Sequence, residues 1–64
     1  MNAVETFRRA LEADAAFRRE LVRVYGAKRS RHMRYVADHV HTDPALVAAM
    51  NAKLAADKAW AVAT

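Results

Sequence analysis

Apolar side chains in the first third of the chain recur at intervals that match one side of an α-helix. Val4, Phe7 and Leu11 are separated by three and four positions, and Phe17 and Leu21 continue the pattern. At about 100° per residue, these five side chains share one half of a helical cylinder. Charged residues fill the other half, and several lie three or four positions from a residue of opposite charge. A long amphipathic first helix is predicted.

The single glycine of the chain, Gly26, marks the predicted end of this helix. Glycine adopts the left-handed conformation that closes many helices without steric cost. We therefore predict that the first helix runs from about Ala3 to Tyr25.

Asp14 and Arg18 interrupt the apolar half of this helix. They either form an i,i+4 ion pair, or Asp14 caps a second helical segment. The step from Leu11 to Phe17 skips a helical repeat, which favours a helix that is broken near Asp14.

Two further helices are predicted in the second half of the chain. Met33, Val36 and Val40 follow helical spacing, so a short helix is expected from about Arg31, after a loop over residues 26–30. The last helix is expected to start at Asp43-Pro44, because aspartate is a favoured N-cap and proline a favoured first residue, and to end near Ala63.

The whole pattern predicts one all-α domain over residues 1–64, a small bundle of three to four helices. The predicted core consists of Phe7, Leu11, Phe17, Leu21, Met33, Val36, Val40, Leu46, Met50, Leu54 and Trp60.

The last helix is apolar around most of its circumference, and such helices are usually buried on all sides. One side carries a row of small residues with an aromatic beside it: Ala48, Ala52, Ala55, Ala59 and Trp60. A single small domain cannot easily cover both sides. These five residues are therefore the predicted protein interface, covered by a second copy of the chain or by a partner protein.

Composition supports association. A chain of 64 residues buries a small share of its surface, and without cysteine it has no disulfide to help it. No apolar run approaches the roughly 20 residues of a membrane span. The N-terminal residues do not resemble a secretory signal, and the lack of cysteine is compatible with a reducing compartment, so a cytoplasmic location is expected.

Positive charge is concentrated in one segment. Residues 18–34 contain seven basic residues and one acidic residue, whereas the net charge of the whole chain is only +4. Arginine neutralises phosphate and stacks on bases, and an exposed tyrosine can add a stacking surface. The candidate contacts to nucleic acid or to an acidic partner are Arg19, Arg23, Lys28, Arg29, Arg31, Arg34 and Tyr35. The alternative interpretation is a solvated helix face beside a charged loop.

Residues 36–50 resemble a helix-turn-helix motif in outline. Val36, Ala37 and Val40 fit its first helix, and Val47 and Met50 fit the second. The positions that would face the bases are mostly alanine, whereas readout in the major groove depends on Arg, Lys, Asn or Gln. Base-specific recognition through this segment is not expected.

No catalytic, metal or cofactor site is predicted. His39 and His41 are the best metal candidates, but on a helix their imidazoles would point about 200° apart. Ser30 has no His and Asp partners at a suitable spacing, and no glycine-rich phosphate loop exists.

We therefore expect a non-enzymatic protein-binding module, such as an accessory subunit or a phage- or plasmid-type inhibitor that docks on a larger machine, including one that handles nucleic acid. The alternative is a nucleic-acid-binding module that grips phosphates through residues 18–34. No protein family is recognised in these residues.

Overall fold

A computed structural model describes residues 2–36 and 40–63, and these residues form two helices. Helix α1 spans Ala3–Met33 and helix α2 spans Pro44–Ala63. The described part of the chain contains no strand. The all-α prediction is confirmed, whereas the predicted bundle of three to four helices is wrong. The protein is a helical hairpin.

The helix count differs because the chain becomes helical again directly after Gly26. This residue has φ 84° and ψ 162°, an interruption within α1 that is open essentially only to glycine. Gly26 interrupts the helix as predicted, but its ψ of 162° is not that of the predicted left-handed cap, α1 does not end at Tyr25, and the predicted loop over residues 26–30 is wrong. A separate helix from Arg31 is not formed either, since α1 ends at Met33 and residues 34–36 form a turn. Part of that prediction falls on residues 37–39, which lie outside the described residues.

Gly26 bends α1 back on itself. A straight helix of 31 residues would be about 46 Å long at 1.5 Å per residue, yet the longest dimension of the molecule is 35 Å. The Arg34 guanidinium lies 3.0 Å from the Asp14 carboxylate, twenty positions earlier in the chain. The segment after Gly26 therefore packs against the segment before it.

The predicted break near Asp14 is also wrong. Helix α1 is continuous there, and Asp14 forms the i,i+4 ion pair with Arg18 at 3.1 Å. Asp14 interrupts the apolar side of the helix because it meets cations from elsewhere in the chain, namely Arg34 and, at 3.9 Å, Lys53.

The two helices run antiparallel. Three contacts fix their register: Arg23 with Asp43 at 2.6 Å, Asp14 with Lys53 at 3.9 Å, and Phe7 with Trp60 at 5.0 Å between ring centroids. Residues 14–33 and 44–53 form the half where the chain reverses, here termed the closed half. Residues 3–13 and 54–63 form the half that carries both ends of the hairpin, here termed the open half.

Helix α2 begins as the sequence predicts. The Leu46 amide donates a hydrogen bond of 3.0 Å to Asp43 Oδ1, and Pro44 occupies the first helical position. Helix α1 has a similar cap, because the Glu5 amide donates to Asn2 Oδ1 at 2.8 Å. Both caps satisfy amides that no helical carbonyl can reach.

The buried core lies in the closed half. It contains Phe17, Leu21, Met33, Leu46 and Met50, all of them predicted. Two more predicted core residues, Val36 and Trp60, are half-buried.

Four predicted core residues are exposed instead: Phe7, Leu11, Val40 and Leu54. Their burial would need a further helix, and the hairpin has none to offer. In the open half the buried residues of α1 are the small Thr6 and Ala10.

Candidate functional site

The fold-back at Gly26 creates a groove with a volume of about 540 Å³ between the two segments of α1. Arg18, Arg31 and Arg34 stand around it. We call this depression the basic groove. Its position follows from the bend, since residues of the first segment face residues that come after Gly26.

Apolar side chains form much of the inner surface of the basic groove. Leu21, Val22 and Ala27 contribute to it, and Val22 is 45% exposed. Ser30 also lines the groove, but its hydroxyl group donates to the Ala27 carbonyl at 3.0 Å. The groove therefore combines an apolar surface with a cationic rim.

Asp14 holds two of the rim arginines in place. Its two carboxylate oxygens contact Arg18 Nε at 3.1 Å and Arg34 Nη2 at 3.0 Å. One carboxylate thus serves two guanidinium groups, so this cluster keeps an excess of positive charge.

Four cations of the closed half have no carboxylate within 4.0 Å among residues 2–36 and 40–63. They are Arg19, Lys28, Arg29 and Arg31, and all four are exposed. Arg19 borders a second shallow depression beside Val22, and Lys28 borders a third with Arg31. Their charge is therefore available to a ligand.

Arg23 has a different role. It pairs with Glu20 on its own helix and with Asp43 at the start of α2. The hydrogen bond that Arg23 donates to Glu20, followed by the one that it donates to Asp43, raises the pKa of Arg23. The Leu46 amide, followed by the Arg23 guanidinium, lowers the pKa of Asp43. Arg23, a predicted contact residue, is thus engaged in joining α1 to α2.

The two tyrosines near the basic groove differ in exposure. Tyr35 is 82% exposed and lines the groove, with the Arg34 guanidinium 5.5 Å from its ring centroid. Tyr25 is half-buried and packs against the core, with its hydroxyl 2.7 Å from His41 Nδ1. Of the two tyrosines, Tyr35 offers an open aromatic surface, whereas Tyr25 is a packing residue.

His41 is buried, and the other metal candidate, His39, lies outside the described residues. Among residues 2–36 and 40–63, His41 Nε2 has no hydrogen-bond partner, and no three His, Cys, Asp or Glu residues form a cluster that could hold a metal ion.

The open half presents apolar side chains to solvent. Val4 is 78% exposed, Leu11 55%, Leu54 53% and Val62 81%. Phe7, 46% exposed, is tilted against Trp60.

The predicted interface residues lie partly in the same half. Ala48, Ala52, Ala55 and Ala59 are all exposed, and Trp60 is half-buried. Ala55 and Ala59 line a shallow depression of about 550 Å³ with Thr6 of α1.

Charges around the open half of α1 are balanced. Glu5 pairs with Arg8 and Arg9, and Arg8 also reaches Glu12. The hydrogen bond from Arg8 is the main reason why the pKa of Glu5 is lowered. These ion pairs follow the predicted i,i+3 and i,i+4 spacing.

The helix-turn-helix resemblance finds no support in the described part of the segment. Val36 lies in a turn after α1, and residues 37–39 are outside the described residues. The second helix of the motif corresponds to the start of α2.

One rim residue was not predicted. Arg18 belongs to the basic segment but falls on the apolar side of α1, and it is not among the predicted contacts. This position was the signal available in the sequence. A charged pair on the apolar side of a helix indicates that another part of the chain packs against the helix there.

No protein-family model, curated protein or solved structure matches this chain. In the described part of the chain, neither helix has a stretch that is long and apolar enough to cross a membrane.

Proposed function

We propose that the protein is a small, non-enzymatic protein-binding module that docks through its open half on another protein. The observation that carries this proposal is the exposure of large apolar side chains there: Val4, Phe7, Leu11, Leu54 and Val62. Burying such side chains contributes about 1.5–3 kcal/mol each. A surface of this kind is typical of protein interfaces.

The packing between the helices supports the same proposal. In the open half, α1 turns only the small Thr6 and Ala10 fully inward. The aromatic pair Phe7–Trp60 remains partly open to solvent, and aromatic side chains are frequent anchors of protein interfaces.

A hairpin also lacks neighbours on its outer sides. In helix bundles each helix packs against at least two others, and here each helix has one. A second hairpin or a helical surface of a larger protein would supply the missing contacts.

Photocrosslinking in the cells that naturally produce the protein tests this proposal. The photoreactive residue p-benzoylphenylalanine replaces Leu11 in the open half or, as a matched control, Val22 in the closed half. Leu11 is 55% exposed and Val22 45%, so both variants should fold.

We expect crosslinked protein from the Leu11 variant and much less from the Val22 variant. A product of twice 7.2 kDa identifies a second copy, and a heavier one identifies a different protein. Equal crosslinking at both positions, or none at position 11, would contradict the proposal.

A further inference from the structure

The basic groove lies in the half of the hairpin that the proposed docking surface does not use. We propose that this groove is a binding site for single-stranded nucleic acid, with phosphates on Arg31 at its rim and on Arg19 and Lys28 in the depressions beside it, and an unpaired base stacked on Tyr35. This site is independent of the proposed protein interface and would remain if that interface were disproved.

The cations around the Gly26 bend fall into two groups, those that contact carboxylates of the hairpin and those that are available to a ligand. Arg18, Arg23 and Arg34 contact carboxylates of the hairpin, so these three arginines are already engaged in contacts within the fold. Arg19, Lys28, Arg29 and Arg31 contact none among the described residues. Their sequence spacing places them on both sides of the Gly26 bend. Cations that are distributed in this way can all be contacted by a ligand with several negative charges, but not by one small anion.

The apolar part of the groove favours a nucleotide over a small anion. A small inorganic anion would gain nothing from Val22, which is exposed beside Arg18 and Arg19. A nucleotide has a sugar and a base that can cover such a side chain while its phosphate meets the arginines. A volume of about 540 Å³ also falls within the range of ordinary ligand sites.

Tyr35 provides an exposed aromatic surface at the groove. This ring lines the groove and keeps 82% of its surface in solvent, although Arg34 lies over it. Aromatic side chains stack on unpaired bases of any type, and a nearby guanidinium strengthens such a platform. Bases in a duplex are already stacked on each other, so the exposed ring favours a single strand.

The groove contains no asparagine or glutamine, and its polar side chains are arginine, serine and tyrosine. Ser30 uses its hydroxyl hydrogen on the Ala27 carbonyl. Phosphate contacts and stacking do not depend on base identity. Binding is therefore expected to be independent of sequence.

Fluorescence anisotropy with labelled oligo-dT and oligo-U of about 12 nucleotides tests the proposal. A duplex of equal length and a poly-glutamate peptide are the comparison ligands. We expect micromolar binding of a single strand that weakens steeply with salt, because each neutralised phosphate contributes about −0.7 to the slope of log K against log salt concentration. The two oligonucleotides distinguish DNA from RNA as the preferred strand.

Two matched pairs of variants locate the site. Arg31→Gln should make the slope of log K against log salt concentration less steep by about 0.7, because one phosphate contact is lost. Lys58→Gln, which removes an exposed lysine of the open half, should not change it. Tyr35→Ala should weaken binding about fivefold or more, whereas Tyr35→Phe should retain it.

Several results would overturn the proposal. Duplex binding as tight as single-strand binding would exclude stacking on Tyr35. Equal binding of poly-glutamate would make the groove a general site for acidic peptides. Loss of binding in Lys58→Gln that equals the loss in Arg31→Gln would show that net charge alone, and not this groove, attracts the strand. No binding at low salt would disprove it directly.

Discussion

The closed and open halves of this hairpin are built from the same two helices but differ in what they bury. The closed half contains the five-residue core of Phe17, Leu21, Met33, Leu46 and Met50. The open half exposes Val4, Leu11 and Val62. The difference arises at Gly26, because the segment that folds back covers only the half in which the bend lies. Its last residue, Met33, completes the core.

Charge divides in the same way as burial. The four cations of α1 that contact no carboxylate among the described residues all belong to the closed half, whereas Glu5, Arg8, Arg9 and Glu12 pair with one another in the open half. The closed half, with its buried core and unpaired positive charge, is suited to bind a polyanion. The open half, with balanced charge and exposed apolar side chains, is suited to bind another protein. The two proposed sites follow from this contrast.

The largest expected effect compares one leucine from each half. Leu21 is 1% exposed and Leu11 is 55% exposed, both on α1. Leu21→Ala should lower the free energy of unfolding by about 2–5 kcal/mol, because it removes packing and leaves a cavity. Leu11→Ala should change it by about 0.5 kcal/mol or less.

Urea unfolding followed by helical circular dichroism measures both variants, at a protein concentration where sedimentation shows a monomer. The monomer condition matters because an interface at Leu11 would add its own contribution. Similar losses in the two variants would mean that the open half contributes to the monomer core.

A smaller effect is expected at Gly26, where the contrast between the halves originates. Gly26→Ala should cost about 1–3 kcal/mol, since its φ of 84° is unfavourable for an L-residue. Apart from Gly26 itself and the adjoining backbone of α1, no atom of the described residues lies within 4 Å of the position of a Cβ there, so the cost is one of backbone conformation.

A chain of 64 residues can be made by chemical synthesis, which supplies a sharp control. D-Alanine favours positive φ, so Gly26→D-Ala should be neutral or stabilising by about 0.5–1 kcal/mol. Equal losses with both enantiomers would show that this backbone conformation is not what matters at Gly26.

Much of this architecture could be predicted from the sequence where the signal is local. Asp43-Pro44 marks the start of α2, and helical spacing finds the five buried core residues. The number of helices could not be predicted from such local signals. Gly26 indicates an interruption, but its neighbours do not show that the chain becomes helical again within one residue.

The sites were predictable to a similar extent. Composition identifies the basic segment, but not which arginines are free, because Arg23 and Arg34 find their carboxylates twenty positions away. The exposure of Leu11 and Leu54 was missed for a related reason. Their spacing shows that they share a side with core residues, whereas the absence of a covering helix is a property of the whole fold.

The smallest effect tests the junction between α1 and Asp43, the residue that caps α2. The Leu46 amide and then Arg23 hold the pKa of Asp43 below its ordinary value of 3.8. A carboxyl group whose pKa is lower in the folded state stabilises the fold above its unfolded pKa, and this contribution is lost as the pH falls through the folded value.

Thermal unfolding from pH 6 down to pH 2 should therefore show a steeper loss of stability below about pH 4 in the wild type than in Asp43→Asn. Asparagine is an equally good N-cap but does not titrate, and Glu5, whose pKa is also lowered, contributes equally to both proteins. Parallel curves for the two proteins would show that neither the cap nor Arg23 favours the ionised form of Asp43, so the junction would be held by Leu46 packing and not by charge.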